Sequence, residues 1–203
     1  MATNHAAAGA AEQATTEDIG DRMADWDERQ AILDYDSAVA MRYHGRRKMF
    51  LDNLSRLDPA LSIILGGAAF GTIVTGHAHL AAVASLLVAA TSGLNLAFGL
   101  SDRARLHEDL FRRWGKVRAE LAALPDGDDA ALRVLEVERA VIDAESPWQL
   151  EALSVICENE EKAVRRDKTL FHVGWLQRVL SNWLTLPGYH PVAIVLDESG
   201  HRA

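Results

Sequence analysis

The sequence predicts an all-α protein built around a two-span transmembrane helical hairpin with flanking cytosolic amphipathic helices. Three observations predict it. Between Asp58 and Asp102 the chain runs 43 residues without one Asp, Glu, Lys or Arg. On both sides of that run, large apolar residues return at helical intervals of three and four. No stretch alternates with the period of two expected of a sheet, apart from VAIVL at Val192 to Leu196.

Taken in order, residues 1–17 are small and polar with no large apolar side chain to bury, and read as a flexible tail. They also lack the basic start and continuous apolar core of a signal peptide, so the internal hairpin is expected to direct insertion. Residues 18–58 form an N-terminal cytosolic helical segment, one long helix or two, carried by Ile19, Met23, Trp26, Ile32, Leu33, Val39, Tyr43, Phe50, Leu54 and Leu57.

Residues 59–101 are the transmembrane hairpin. A span needs roughly 20 helical residues to cross about 30 Å of hydrocarbon, so the run accommodates two spans and a turn. The turn is expected at Gly76-His77-Ala78-His79, which leaves spans from Pro59 to Thr75 and from Leu80 to Leu100, with Pro59 in the first turn of its helix. Arginine and lysine stand on both flanks, at Arg42, Arg46, Arg47, Lys48 and Arg56 and again at Arg103, Arg105, Arg112 and Arg113, and the turn has none. Both termini are therefore expected in the cytoplasm. Arg46, Arg47, Lys48, Arg103 and Arg105 are candidate contacts for anionic lipid headgroups.

Small residues dominate the spans. Gly67 with Gly71, and Ala89 with Gly93, have the four-residue spacing that lets helix backbones approach in lipid. Their first reading is packing of the two spans on each other; the sharper one is contact between copies in a homo-oligomer. Thr91 and Asn95 are the polar exceptions, suited to pairing between helices or to lining a pore.

Residues 102–186 read as a C-terminal cytosolic helical bundle. Leu106, Leu110, Trp114, Val117, Leu121 and Leu124 advance by fours and threes, the seam of a packed helix. Pro125 to Asp128 is a turn, with Asp128 or Asp129 capping a helix that carries Leu132, Leu135, Val137 and Ile142. Ser146 and Pro147 read as the cap and first residue of a further helix through Leu150 and Leu153. Leu170 to Leu186 is amphipathic, and residues 187–203 form a tail.

The net charge of −8 excludes a binder that works by neutralising nucleic-acid phosphates. Cys157 is the only cysteine, so there is no internal disulfide and no cysteine-rich zinc site; it reads as a core residue. No phosphate loop, HExxH or GxSxG occurs, and His77-x-His79 lacks further ligands, so no enzyme activity, cofactor or metal is expected. His107, Glu108 and Asp109 are expected to face water or to pair with Arg103, Arg112 and Arg113.

Four features together carry a family resemblance: YHGRRKMF at Tyr43 to Phe50, the small-residue double span, SDRARLHEDLFRRW directly after it, and LEALSVICENE at Leu150 to Glu160. In this arrangement, from about Trp26 to Leu184, the chain resembles the SLATT family, two-transmembrane modules associated with nucleotide-producing and nucleotide-sensing proteins in bacterial conflict systems. The resemblance implies a non-enzymatic, pore-forming or membrane-perturbing effector of antiviral defence or phage conflict. It would act as a homo-oligomer in the bacterial inner membrane. No sensor or nucleotide-synthesising domain is recognisable in the chain, so the trigger is expected from a nucleotide-signalling or sensor protein in trans, or from the cytosolic helices. The alternative is a passive membrane-anchored helical scaffold or phage accessory protein.

Overall fold

A computed structural model describes residues 3–74, 76–183 and 192–195; side chains are described from Gly20 onward, except at Asp58, Thr72, Ala78, Leu94, Asn95 and Val195. The chain is mostly helical. Helices α1 (Thr3–Val74), α2 (Ala78–Phe98), α3 (Leu100–Ala122), α4 (Asp129–Glu145) and α5 (Glu151–Val164) are followed by strand β1 (Thr169–Phe171), a short α6 (Trp175–Leu180) and β2 (Ala193–Val195).

α1 runs unbroken for 72 residues through two expected boundaries. It begins at Thr3, inside the expected tail, where alanine supplies high helix propensity even without apolar residues to bury. It also continues through Pro59, which is interior to α1 and not the start of a span. A proline there removes one backbone donor, so the carbonyl four residues earlier, at Ser55, lacks its usual partner. The helix ends at Val74, and Gly76, at φ +80, turns the chain in the left-handed region that glycine adopts without strain. Ala78 and His79, expected in the turn, already belong to α2, and Thr75 lies outside the described residues. A second such glycine, Gly99 at φ +56, separates α2 from α3.

Beyond the apolar hairpin, α1 packs along α3, with α4 and α5 against the pair. The core gathers Trp26 and Leu33 of α1, Leu110, Trp114, Val117 and Leu121 of α3, and Leu132, Leu135 and Ile142 of α4. Leu33, Leu110, Leu132 and Ile142 are fully enclosed, each contributing about 1.5–3 kcal/mol of apolar burial. Val137, expected in this core, faces outward. The observed seam of α3 is Ala104, His107, Leu110, Trp114, Val117 and Leu121: it passes through His107, and Leu106 is exposed.

The α4 start is as expected, with Asp128 accepting the Ala131 N–H at 3.0 Å. Ser146 has a different role from the expected one. It closes α4, its N–H reaching the Asp143 carbonyl at 3.2 Å and its hydroxyl donating to the Ile142 carbonyl at 2.8 Å. α5 starts only at Glu151, because its preceding backbone is held extended, with the Leu150 N–H donating to the Tyr43 hydroxyl at 2.9 Å. The segment expected as one helix from Leu170 opens with β1, paired antiparallel to β2 with Leu170 opposite Ile194. Asn159 of α5 clamps β1, accepting from the Phe171 N–H and donating to its carbonyl, both at 2.7 Å. Thus part of the expected C-terminal tail, Ala193–Val195, is a paired strand, and the Val192 carbonyl next to it accepts the His172 N–H at 2.9 Å. The end of the expected helix, 184–186, and the rest of that tail lie outside the described residues.

Ion pairs tie the helices together. Arg29 of α1 forks onto Glu136 at 2.7 and 2.9 Å and reaches Asp129 at 2.6 Å. Glu161 of α5 is buried between Arg42 and Arg165, each donating at 2.9 Å. Glu161→Ala leaves the Arg42 guanidinium without its acceptor and Arg165 with Asp34 alone. The expected loss is about 1–3 kcal/mol, read as a lower denaturation midpoint of the helical bundle.

Candidate functional site: the apolar hairpin and the polar core at its base

The arm formed by the end of α1 and α2 is apolar outside as well as inside. Ile63, Ile64, Phe70, Ile73, Leu80, Val83, Leu86 and Leu96 are all exposed, Leu86 at 70% and Leu96 at 85%. Among the described residues one helical run, His79–Ala122, is long and apolar enough to cross a membrane. Its apolar window has mean hydropathy 1.8 and is only 6% buried. The charged α3 forms the second half of that run, so the apolar window belongs to α2. A central helix of a water-soluble core passes the same length test but is covered by its neighbours; this one is not.

Within the arm, the covered positions are Ser62, Leu65 and Ala69 on α1 and Ala81, Ala84, Val88 and Thr91 on α2, spaced by threes and fours. That is the seam between the two helices. Gly67, Gly71, Ala89 and Gly93 are on exposed surface, and a methyl group built at Gly67, Gly71 or Gly93 would meet nothing within 4 Å. The small faces therefore do not form the intrahairpin contact expected as their first reading. The seam is chosen by Leu65, Ala69, Ala81 and Val88, and a four-residue spacing alone cannot tell which side of a helix is used. The Thr91 hydroxyl donates to the Leu87 and Val88 carbonyls of its own helix, each at 3.0 Å, which commits its proton within α2. The Asn95 side chain lies outside the described residues.

Where the arm meets the bundle, the structure divides the five basic candidates. Arg46 is paired with Glu160, and Lys48 with Asp52 at 2.8 Å. Arg47, Arg103 and Arg105 form no salt bridge among the described residues. Arg47 instead donates to the Asn182 carbonyl at 2.7 Å and lies 5.7 Å from the Phe50 ring centre. Phe50 in turn meets Trp183 edge to face at 4.9 Å.

Next to these residues, inside the bundle, is a pair that sequence reasoning missed. His44 of α1 and His107 of α3 are buried at 0% and 4% exposure, with their Nδ1 atoms 2.8 Å apart. One Nδ1 must carry the hydrogen and the other must accept it. Among the described residues, His44 Nε2 is buried with no partner. An unprotonated lone pair there costs less than an orphaned N–H, so His44 Nδ1–H is the donor and His107 Nδ1 the acceptor. Burial holds His44 down to about 3, reinforced by His107; burial, together with Arg47 and Arg103, holds His107 down to about 4. Both rings are therefore neutral at physiological pH. Tyr43 packs edge-on against them, its hydroxyl held by the Leu150 N–H, and its own pKa is raised by burial.

The signal that could have revealed the pair is periodic. Leu33, Ser37, His44 and Leu51, all buried, lie four or seven apart on α1, and His107 precedes Leu110 by three on α3. Both histidines thus occupy core positions of helix seams.

No family model matches this chain, and neither the curated proteins nor the solved structures yield a match. Its chemistry is therefore read from the residues alone. Cys157 is fully buried beside Tyr43 and Leu153, and burial pushes its thiol up to about 12, which makes it a core residue and not a nucleophile. Among the described residues no cluster of three or more His, Cys, Asp or Glu is placed to hold a metal ion. His77 and His79 stand with ring centres 6.2 Å apart at the hairpin tip. Glu108 pairs with Arg112, and Arg113 with Glu138 and Glu145, so of the His107-Glu108-Asp109 triplet it is His107 that departs from a solvated face.

Proposed function

We propose that this chain is a non-enzymatic, two-span membrane effector whose hairpin inserts in the bacterial inner membrane with both termini cytoplasmic, and that it perturbs that membrane as a homo-oligomer. The observation that carries the reading is the outward apolar surface of the hairpin. An arm with exposed Ile63, Phe70, Leu86 and Leu96 is poorly suited to water and well matched to lipid. α2, at 21 residues, is about 32 Å long, enough to cross the hydrocarbon layer; Pro59 to Val74 provides about 24 Å and completes a second span with modest local thinning of the bilayer.

Two further features support an effector over an inert anchor. The small-residue faces at Gly67, Gly71, Ala89 and Gly93 point away from the hairpin's own seam, where a second copy can approach closely. The first span is also continuous with the long cytosolic helix α1, so a displacement of the bundle is transmitted into the membrane without an intervening loop. The resemblance to the SLATT family supplies the biological setting of defence against phage, with a nucleotide-signalling or sensor protein as the partner in trans.

Expression in a bacterial host with a membrane-potential dye tests the reading. Depolarisation by the unmodified chain is expected, and Gly67→Leu and Gly71→Leu should abolish it while leaving membrane insertion intact. Stable insertion of the unmodified chain with no depolarisation, even beside its genomic partner, would instead identify a passive scaffold.

A further inference from the structure

At the cytosolic foot of the hairpin a groove of about 510 Å³ runs between α1 and α2. Its walls are Leu54 and Leu61 of α1 and Phe98 of α2, with Trp183 at its side and Arg47 and Arg103 at its cytosolic end. We propose that this groove binds one anionic phospholipid of the cytoplasmic leaflet, its phosphate held by Arg47 and Arg103 and an acyl chain laid along Leu54, Leu61 and Phe98.

Charge complementarity selects the occupant. Nearly every other arginine at a helix contact in the bundle is committed to a carboxylate: Arg29, Arg42, Arg46, Arg113, Arg139 and Arg165 all form salt bridges. Arg47 and Arg103 form none among the described residues, yet they are near enough to repel each other, and Arg47 is half-buried. Two adjacent guanidiniums without a counter-ion, one already oriented by the Asn182 carbonyl, are a ready phosphate clamp. Their uncompensated charge also reaches inward, since both oppose protonation of His107. The rest of the groove asks for hydrocarbon: Phe98 and Leu57 are more than half exposed, and Trp183, 57% exposed, stands where an indole would meet the headgroup layer. A free phosphate would satisfy the arginines and leave this apolar trough empty. A phospholipid satisfies both ends.

The inference rests on membrane insertion, and the experiment separates the two. Full-length protein is first tested for resistance to carbonate extraction, then exchanged in mild detergent with equimolar phosphatidylglycerol and phosphatidylcholine, and retained lipid is counted by native mass spectrometry. One retained phosphatidylglycerol per chain, favoured at least fivefold over phosphatidylcholine and surviving excess inorganic phosphate, is expected. Arg47→Gln/Arg103→Gln should bring the two lipids to parity. Arg103→Gln alone, at an exposed side chain, should reduce the preference at least twofold. Arg56→Gln/Arg112→Gln removes the same charge from the same flanks outside the groove and should change nothing. Equal loss in both double variants, displacement by inorganic phosphate, or no preference in a carbonate-resistant protein would overturn the lipid site while leaving the membrane reading intact. Extraction by carbonate would overturn both.

Discussion

Leu86→Arg is expected to release the protein from membranes. Leu86 is 70% exposed near the middle of α2, outside the seam of the hairpin and the core of the bundle. In a water-soluble protein such a surface change is close to neutral, within about 0.5 kcal/mol. At the centre of a membrane span, an arginine costs about 2.5–3.5 kcal/mol, roughly a hundredfold in the insertion equilibrium. The difference in size between these outcomes makes the substitution informative. Carbonate-washed membranes should retain the unmodified chain and lose most of the variant, whereas Leu86→Phe should be retained like the original. An arginine at Leu61, close to the bundle end of the hairpin, should be tolerated better because its side chain can reach the headgroups.

The second large effect is on acid stability. His44 and His107 are lowered to about 3 and about 4 in the folded protein, whereas an unfolded chain titrates near 6.5. Below pH 6.5 the unfolded chain binds protons that the folded chain does not, so stability is complete above that pH and falls as the pH drops towards 4. Each ring costs about 1.4 kcal/mol per pH unit within the window, and two rings up to about 4 kcal/mol by pH 5. Against a typical domain stability of about 5–15 kcal/mol, that is a large share. The pair takes up its protons in coupled steps, since two imidazolium rings with their Nδ1 atoms 2.8 Å apart repel strongly. Asp143 and Glu158, raised by burial, act in the opposite direction on acidification. His44→Leu/His107→Leu leaves both carboxylates in place and should flatten the pH dependence between 6.5 and 5, as measured by denaturant midpoints in detergent. An equally steep loss in that variant would show that the pair does not set acid stability.

Much of this architecture was legible in the sequence because composition changes so sharply at Asp58 and Asp102. A charge-free run locates the hairpin without reference to packing, and Gly76 with its histidines locates the turn. What remained hidden depends on three-dimensional neighbours. The α3 seam was read through Leu106, and hydropathy alone favours that choice; only the partner helix, with His44 opposite, makes a polar residue at His107 the buried one. Ser146-Pro147 has the composition of a helix start, yet the Tyr43 hydroxyl holds the following backbone extended and delays α5 to Glu151. The glycine faces showed that helices could approach, not that the hairpin would turn them outward. Arg46 and Arg47 are neighbours in sequence with the same charge, but Glu160 from α5 takes one and leaves the other at the groove.

The central claim is that the hairpin crosses the bilayer twice. Cysteine accessibility in intact cells tests it most directly, with single cysteines at His79 and Ser101 and the buried Cys157 replaced by alanine. A membrane-impermeant maleimide should label His79→Cys from outside and Ser101→Cys only after the cells are opened. Labelling of both positions only after opening would contradict the account, and so would labelling of both from outside.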